Sequence, residues 1–367
     1  PAAARRSAAD RDDHDDRRGN ADHDADDHDE LTDEAARGPV RPKTQARIGD
    51  MSDRPMNAWK KTLIAFALVS CPLAVTPTAP GAKDGPVPPR TAAVLSRAAA
   101  NGDASAQFQL GVLGLTGKLG AEGRRNAVPM LKAAADRKNP GACFVLGMLY
   151  VRGALVPQDA ARGAALLRIA ADRGDPKAQN ALGRLMVDGN GVAPDAEGAA
   201  RLFAAAAGRG LPEAKANLGI LYVRGNGVPA DPPRGVALVR EAAERGLVAA
   251  QFNLARLLQT GNGVAQDLPG ARKWYETAAE RGSAPAQYNL ALMLVKPDSG
   301  TPDPVAALKW LMLAAGGNEP ALRAPARQAV LDISRQLPRE DVVRAGAAAT
   351  EWTKRQTKVA AGQAGAR

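Results

Sequence analysis

Six alanines stand at a fixed interval of 36 residues along this chain: Ala106, Ala142, Ala178, Ala214, Ala250 and Ala286. Leu110, Leu146, Leu182, Leu218, Leu254 and Leu290 keep the same interval, as do Gly117, Gly153, Gly189, Gly225 and Gly261, and Asp159, Asp195, Asp231, Asp267 and Asp303. Such a period marks a stack of like units, each too small to bury its own apolar face, so that the core forms between neighbours. The lattice predicts an elongated array with one continuous core.

Each unit reads as two helices. From Ala214, the apolar positions Ala214, Leu218, Leu221 and Tyr222 fall at i, i+4, i+7 and i+8, one face of a helix A. Gly219 within it is small enough to admit a neighbouring backbone. Gly225-Asn226-Gly227-Val228 ends this helix, because glycine adopts the positive φ needed past a helix C-terminus and Asn-Gly permits a tight reversal. Asp231 with Pro232 and Pro233 opens a helix B as N-cap and first turn. Helix B turns Leu238, Val239, Ala242 and Ala243 inward and stops at Arg245-Gly246.

Two catalytic-looking features dissolve into this scheme. The Gly-Asn-Gly turns starting at Gly189, Gly225 and Gly261 look like phosphate loops, yet they follow helices and recur with the repeat, so they read as turns. The recurring aspartates read as caps of helix B. Ala and Leu dominate and aromatics make up 4% of residues, which suits an all-α chain packed through small side chains.

The series A-x-x-x-L-G-x-x-Y, then G-x-G-V, an Asp three residues on and a closing A-A-x-x-G, in a period of 36, resembles the Sel-one-like repeat, a relative of the tetratricopeptide repeat. The resemblance covers residues 91–335 and implies a right-handed superhelical solenoid of antiparallel helix pairs. Departures are local. Ala255 and Ala291 replace the lattice Gly, Met186 and Leu258 replace the Tyr, and Lys296-Pro297-Asp298 stands where Gly-Asn-Gly is expected.

Both ends read as caps. Val94, Leu95, Ala98, Ala99 and Gly102 match a helix B without its helix A, and Ala321 to Gln336 match a seventh helix A. Pro338 to Thr357 reads as a final amphipathic helix within a capping segment, 336–367.

The segment before the array is of another kind. Residues 1–55 mix Asp, Arg and His without apolar periodicity and are too polar to fold. His14, His23 and His28 lie there among aspartates, a composition that invites metal. A targeting signal follows at once, however, and such signals work only near a true N-terminus, so the stretch reads as lying upstream of a native start at Met51 or Met56. No metal or other cofactor is expected.

Residues 56–82 read as a signal peptide, with Lys60 and Lys61 ahead of an apolar run from Thr62 to Val75 that is too short to span a bilayer. Leu68-Val69-Ser70-Cys71 resembles a lipobox, which makes Cys71 a candidate lipidation site. Ala74 offers ordinary cleavage, the reading we favour because Pro72 follows the Cys directly. The expectation is a periplasmic or secreted protein, joined to its signal by a Pro-rich linker at 83–90, with a membrane partner only through lipid on Cys71.

Beyond the signal, Cys143 is the one cysteine and no histidine remains. That removes intrachain disulfides, His-based acid–base chemistry and His/Cys zinc sites. Cys143 takes a lattice position held by Gln107, Gln179, Gln251 and Gln287, which places it at the edge of the apolar face. Cysteine-rich relatives of the family are associated with β-lactamase-like, cell-wall-directed activity, but their cysteine pair per repeat is missing, so we expect no enzyme.

Residues 83–367 carry about 37 basic and about 24 acidic groups, which raises RNA as a partner of the kind pentatricopeptide solenoids bind. Export and a period of 36 oppose it, and no nucleic acid is expected.

The resemblance also implies a groove lined by helix A, into which the residue before Leu-Gly points. Here that row is Gln109, Val145, Ala181, Asn217, Asn253 and Asn289. Seven residues on, along the same helix face, come Thr116, Arg152, Asp188, Arg224, Thr260 and Lys296. Carboxamides that donate and accept suit the backbone of a bound peptide, and Arg152, Arg224 and Lys296 suit an acidic segment or chain terminus. The same amides could instead satisfy neighbouring helices, and the residues alone leave both readings open. The function these features point to is a monomeric exported adaptor for a protein or peptide, with regulation of an envelope sensor or cell-wall or polysaccharide machinery implied by relatives.

Overall fold

The computed structural model describes residues 87–317 and 319–365. Helix α1 (Pro89–Ala100) leads into six pairs. These are α2 (Ala104–Leu115) with α3 (Gly120–Asp136), α4 (Pro140–Arg152) with α5 (Ala160–Asp172), and α6 (Pro176–Asp188) with α7 (Ala196–Gly208). They continue as α8 (Pro212–Arg224) with α9 (Pro232–Glu244), α10 (Val248–Thr260) with α11 (Leu268–Glu280), and α12 (Ala284–Leu294) with α13 (Pro304–Gly316). Helices α14 (Pro320–Ser334) and α15 (Arg339–Gly365) follow. Among the described residues there is no strand, and no helix is long and apolar enough to cross a membrane. Each B helix packs on its own A helix and on the next, the all-α solenoid of helix pairs that the lattice predicts.

The lattice aspartates explain the A-to-B connection in two bonds each. The Asp231 amide donates to Tyr222 O at 2.9 Å, and its carboxylate accepts from Arg234 N at 3.1 Å. The amides of Asp159, Asp195, Asp267 and Asp303 donate to Tyr150, Met186, Leu258 and Leu294 in the same way, and all four carboxylates cap the third residue of a B helix. One residue thus closes helix A and opens helix B, satisfying backbone groups that helix ends leave orphaned. Gly225 ends α8 at φ 63° and ψ 34°, the left-handed conformation that glycine adopts without strain.

Gly219 shows why a small residue belongs on the A face. A Cβ built there would stand 2.6 Å from the carbonyl oxygen of Gly235 and 2.8 Å from Val239 Cγ2. Any side chain would force α8 and α9 apart. Leu218, Leu254 and Leu290 are buried as the lattice predicts, whereas Leu110 is only half-buried, because α1 alone stands behind the first A helix. The apolar interior forms two clusters joined at α8, which gives Leu218 and Leu221 to one and Ala216 and Val223 to the other. Within α9 the buried stripe centres on Val236 and Val239, leaving Leu238 half-buried.

Cys143 departs from the expectation of an edge position: it is 0% exposed. The physical reason lies in the row it belongs to. Gln107, Gln179, Gln251 and Gln287 are also buried, and each donates its Nε2 to a carbonyl eight residues back, near the end of the preceding B helix. These are Ala99, Ala171, Ala243 and Ala279, at 3.1–3.3 Å. The Cys143 thiol approaches the corresponding carbonyl, Ala135 O, at 3.7 Å. Burial raises its pKa above the usual thiol value, with Arg173 pulling the other way. The Gln107 bond to Ala99 places α1 as the B helix of a preceding half-unit.

Three boundaries differ from the sequence reading. Helix α1 begins at Pro89, inside the expected linker, since proline is tolerated in a first turn. Helix α12 ends at Leu294, because Pro297 and a short 3-10 turn replace the usual glycine stop. Helix α15 runs on past Thr357 to Gly365. The expected leader, signal peptide and Cys71 lie outside the described residues.

Candidate functional site

The exposed face of each A helix is narrow, because neighbours bury most of it. In α10 Ala249 and Thr260 are exposed, and Phe252, Asn253, Arg256 and Gln259 are half-buried. The structure sorts the predicted row unevenly. Asn217, Asn253, Asn289 and Gln109 are half-buried on this face, whereas Val145 is part of the core. Asn217 Nδ2 donates to Asn180 Oδ1 of the preceding A helix at 2.8 Å. Asn289 Nδ2 turns back to Pro285 O of its own helix at 2.9 Å. Asn253 makes no side-chain hydrogen bond to any described residue. The neighbouring-helix reading of the asparagine row thus holds at Asn217, Asn289 is tied to its own helix, and Asn253 is left without an internal side-chain partner among the described residues.

Arg152 and Arg224 close α4 and α8 and are exposed. Lys296 does not share their face, since α12 has ended two residues earlier. Although Arg152 is exposed overall, partial desolvation of its guanidinium lowers the pKa, with a further push from Arg184 on the next A helix. Lys177, on the same face of α6, is also lowered by burial, against the pull of Asp175 and Glu213.

A second set of cations couples the repeats. Arg245 Nη1 donates to Gly210 O at 3.3 Å, and Arg281 does the same to Gly246 O. The guanidinium groups of Arg137 and Arg209 lie against Gly102 and Gly174, where a Cβ would come within 2.8 Å of Nη2. Each arginine follows its glycine by 35 residues, so the ends of α1, α5, α7 and α9 are covered from the following repeat. The row Arg137, Arg173, Arg209, Arg245 and Arg281 was visible at the 36-residue interval, but the sequence holds no sign of where those side chains reach.

The series ends at Gly282, where the residue 35 positions on is Gly317. Trp352 of α15 takes the vacant place. Its ring stands against Gly282, its Nε1 donates to Glu280 Oε2 at 2.8 Å, and Gln356 Nε2 donates to Glu280 O at 2.9 Å. Trp310 meets the same indole edge-on, with centroids 6.2 Å apart. Folded back in this way, α15 leaves a cleft of about 1030 Å³ between itself, α10, the start of α12 and the end of α13. Phe252, Asn253, Ser283, Leu313, Trp352 and Thr353 are in its walls. The Asn253 amide, without an internal partner among the described residues, is thus set in a partly apolar groove that offers a donor, an acceptor and apolar surface side by side.

Stacked helix pairs with an open A-helix face define a repeat scaffold. The Sel1 repeat model matches six consecutive segments, at residues 104–139, 140–175, 176–211, 212–247, 248–283 and 284–318, and the chain belongs to that family. A Sel1 repeat protein from Oxalobacter formigenes is 29% identical, with a TM-score of 0.53 over 62% of this chain and 98% of that one. A protective antigen of uropathogenic Escherichia coli strains, displaying an SLR fold, is 25% identical over 71% of this chain and 64% of that one, with a TM-score of 0.44. No curated protein matches the chain. Sel1 repeat proteins are protein-interaction scaffolds and generally non-catalytic.

Proposed function

We propose that this chain is an exported adaptor that binds a protein or peptide on the exposed faces of its A helices, with Asn253 and the cleft beside it as the best-formed part. The observation that carries the reading is the unpaired, half-buried Asn253 amide in the wall of that cleft, next to Phe252 and Trp352. An amide left without an internal partner there keeps both its donor and its acceptor for a ligand backbone. Control of an envelope sensor or of cell-wall or polysaccharide machinery is the setting in which such an exported adaptor acts.

A photo-crosslinking residue at Ala249, at the mouth of the cleft, tests the surface. Crosslinks to one partner from Ala249, and none from Arg240 on the outer side of α9, are expected. Crosslinks from Arg240 alone would overturn it. Export is tested by an epitope fusion: tagged protein in the envelope or medium, shortened near residues 71–82, is expected, and full-length protein confined to the cytosol would refute it.

A further inference from the structure

The four central repeats alternate in kind. Tyr150, Arg152, Arg162 and Gly163 of the second repeat return as Tyr222, Arg224, Arg234 and Gly235 of the fourth, 72 residues on. Gln179 and Arg184 of the third return as Gln251 and Arg256 of the fifth. The structure keeps this doubled period: Arg162 lies 4.7 Å above the Tyr150 ring and Arg234 4.4 Å above the Tyr222 ring.

The doubling sets two arginine pairs on the A-helix face. Arg152, at the end of α4, feels the charge of Arg184 in the middle of α6, and the register repeats this placement 72 residues on, with Arg224 ending α8 and Arg256 on α10. Unlike Arg162, Arg234, Arg245 and Arg281, none of these four guanidinium groups bonds or stacks on any described residue, and no described carboxylate lies within ion-pair distance. Like charges held together without an anion destabilise the free protein, and an anion between them removes that cost. Asp188, ending α6, interrupts the row between the two pairs.

Resting on the A-face reading above, we infer that the partner presents an acidic polypeptide segment with two carboxylate clusters, one for each arginine pair, separated by a stretch without acidic residues opposite Asp188. Asn217 and Asn180 bond across successive A helices, which sets the pairs on the order of 20 Å apart, about six extended residues. A polypeptide fits better than a nucleic acid. A continuous phosphate backbone would run over Asp188, and the face positions Met148, Arg184, Ile220 and Arg256 offer no aromatic ring for a base.

Fluorescence anisotropy on the full chain tests this with labelled peptides bearing two Glu-Glu clusters or one, the two being joined by about six Gly/Ser residues. The two-cluster peptide is expected to bind tighter by about tenfold or more, with an affinity that falls as salt rises. Arg184→Gln or Arg256→Gln should each reduce it to the one-cluster level, with circular dichroism unchanged. Replacing the spacer by glutamates should weaken binding, through Asp188.

Equal binding of both peptides, insensitivity to both variants, or tighter binding of a single-stranded RNA that the variants abolish would overturn the inference. A crosslink from Ala249 to a partner whose affinity ignores Arg184→Gln and Arg256→Gln would overturn it while leaving the A-face reading intact.

Discussion

The indole of Trp352 donates to Glu280 from 72 residues away, at 2.8 Å, on the helix end where earlier repeats are covered by an arginine. Trp352 is 8% exposed and meets Trp310 edge-on. Trp352→Ala should therefore cost about 3–5 kcal/mol, as aromatic truncations in cores do. Urea unfolding should show it, with hydrogen exchange speeding first in α11 and α13. A loss below about 0.5 kcal/mol would mean that α15 contributes no cap to the array.

Leu218 is 6% exposed and sits where α8 joins the two apolar clusters. Leu218→Ala should cost about 2–5 kcal/mol and broaden the unfolding transition, because the stack then opens at the weakened junction. Calorimetry that returned a sharp transition with an unshifted midpoint would contradict this.

Cys143 is enclosed by α4 and the end of α3, and burial keeps its thiol protonated. In a chain beginning at Lys83 it is the only cysteine. Its reaction with a thiol reagent at neutral pH should be slow in the native state and become complete in urea. Rapid native labelling would show that the carbonyl-capping row is loose at this repeat.

Tyr275 provides a pH test. Burial pushes its hydroxyl up to about 12 from the usual 10.0, with Arg256 pulling the other way, and the hydroxyl donates to Gln259 Oε1 at 2.9 Å. Because the folded pKa is raised, its contribution to stability is fully present below about pH 10. It is lost as pH climbs towards 12, since the unfolded chain releases the proton first. Thermal unfolding followed from pH 8 upward should fall more steeply in the native protein than in Tyr275→Phe. Parallel curves would refute the coupling.

Much of this was legible in the period alone. The aspartate caps and the glycine stops are set by contacts within one unit, and the buried leucines by a stacking that repeats with the period, so all three show on the lattice. The glutamine row, the arginine-to-glycine contacts and the place of Trp352 depend on how far a long side chain reaches into the next unit. Spacing records that such residues recur, and says nothing of their rotamers. The asparagine row fails for the same reason. Asn217, Asn253 and Asn289 share a lattice position, yet Asn180 captures the first, Pro285 O captures the third and only the second is left unpaired.

That division yields the sharpest functional prediction. If the A face binds a peptide backbone at the cleft, Asn253→Ala should leave stability unchanged and weaken partner binding about tenfold, the loss of about 1.4 kcal/mol expected for a well-placed backbone hydrogen bond. Asn217→Ala should do the reverse, lowering stability by about 1 kcal/mol through the lost bond to Asn180 while changing affinity little. Asn289→Ala removes only a bond within its own helix and should move neither by much. Calorimetric titration of the crosslinked partner against the three variants, alongside urea unfolding of each, separates these outcomes. An Asn253→Ala protein that binds normally but unfolds early would place this amide in the architecture, and the partner surface away from the cleft.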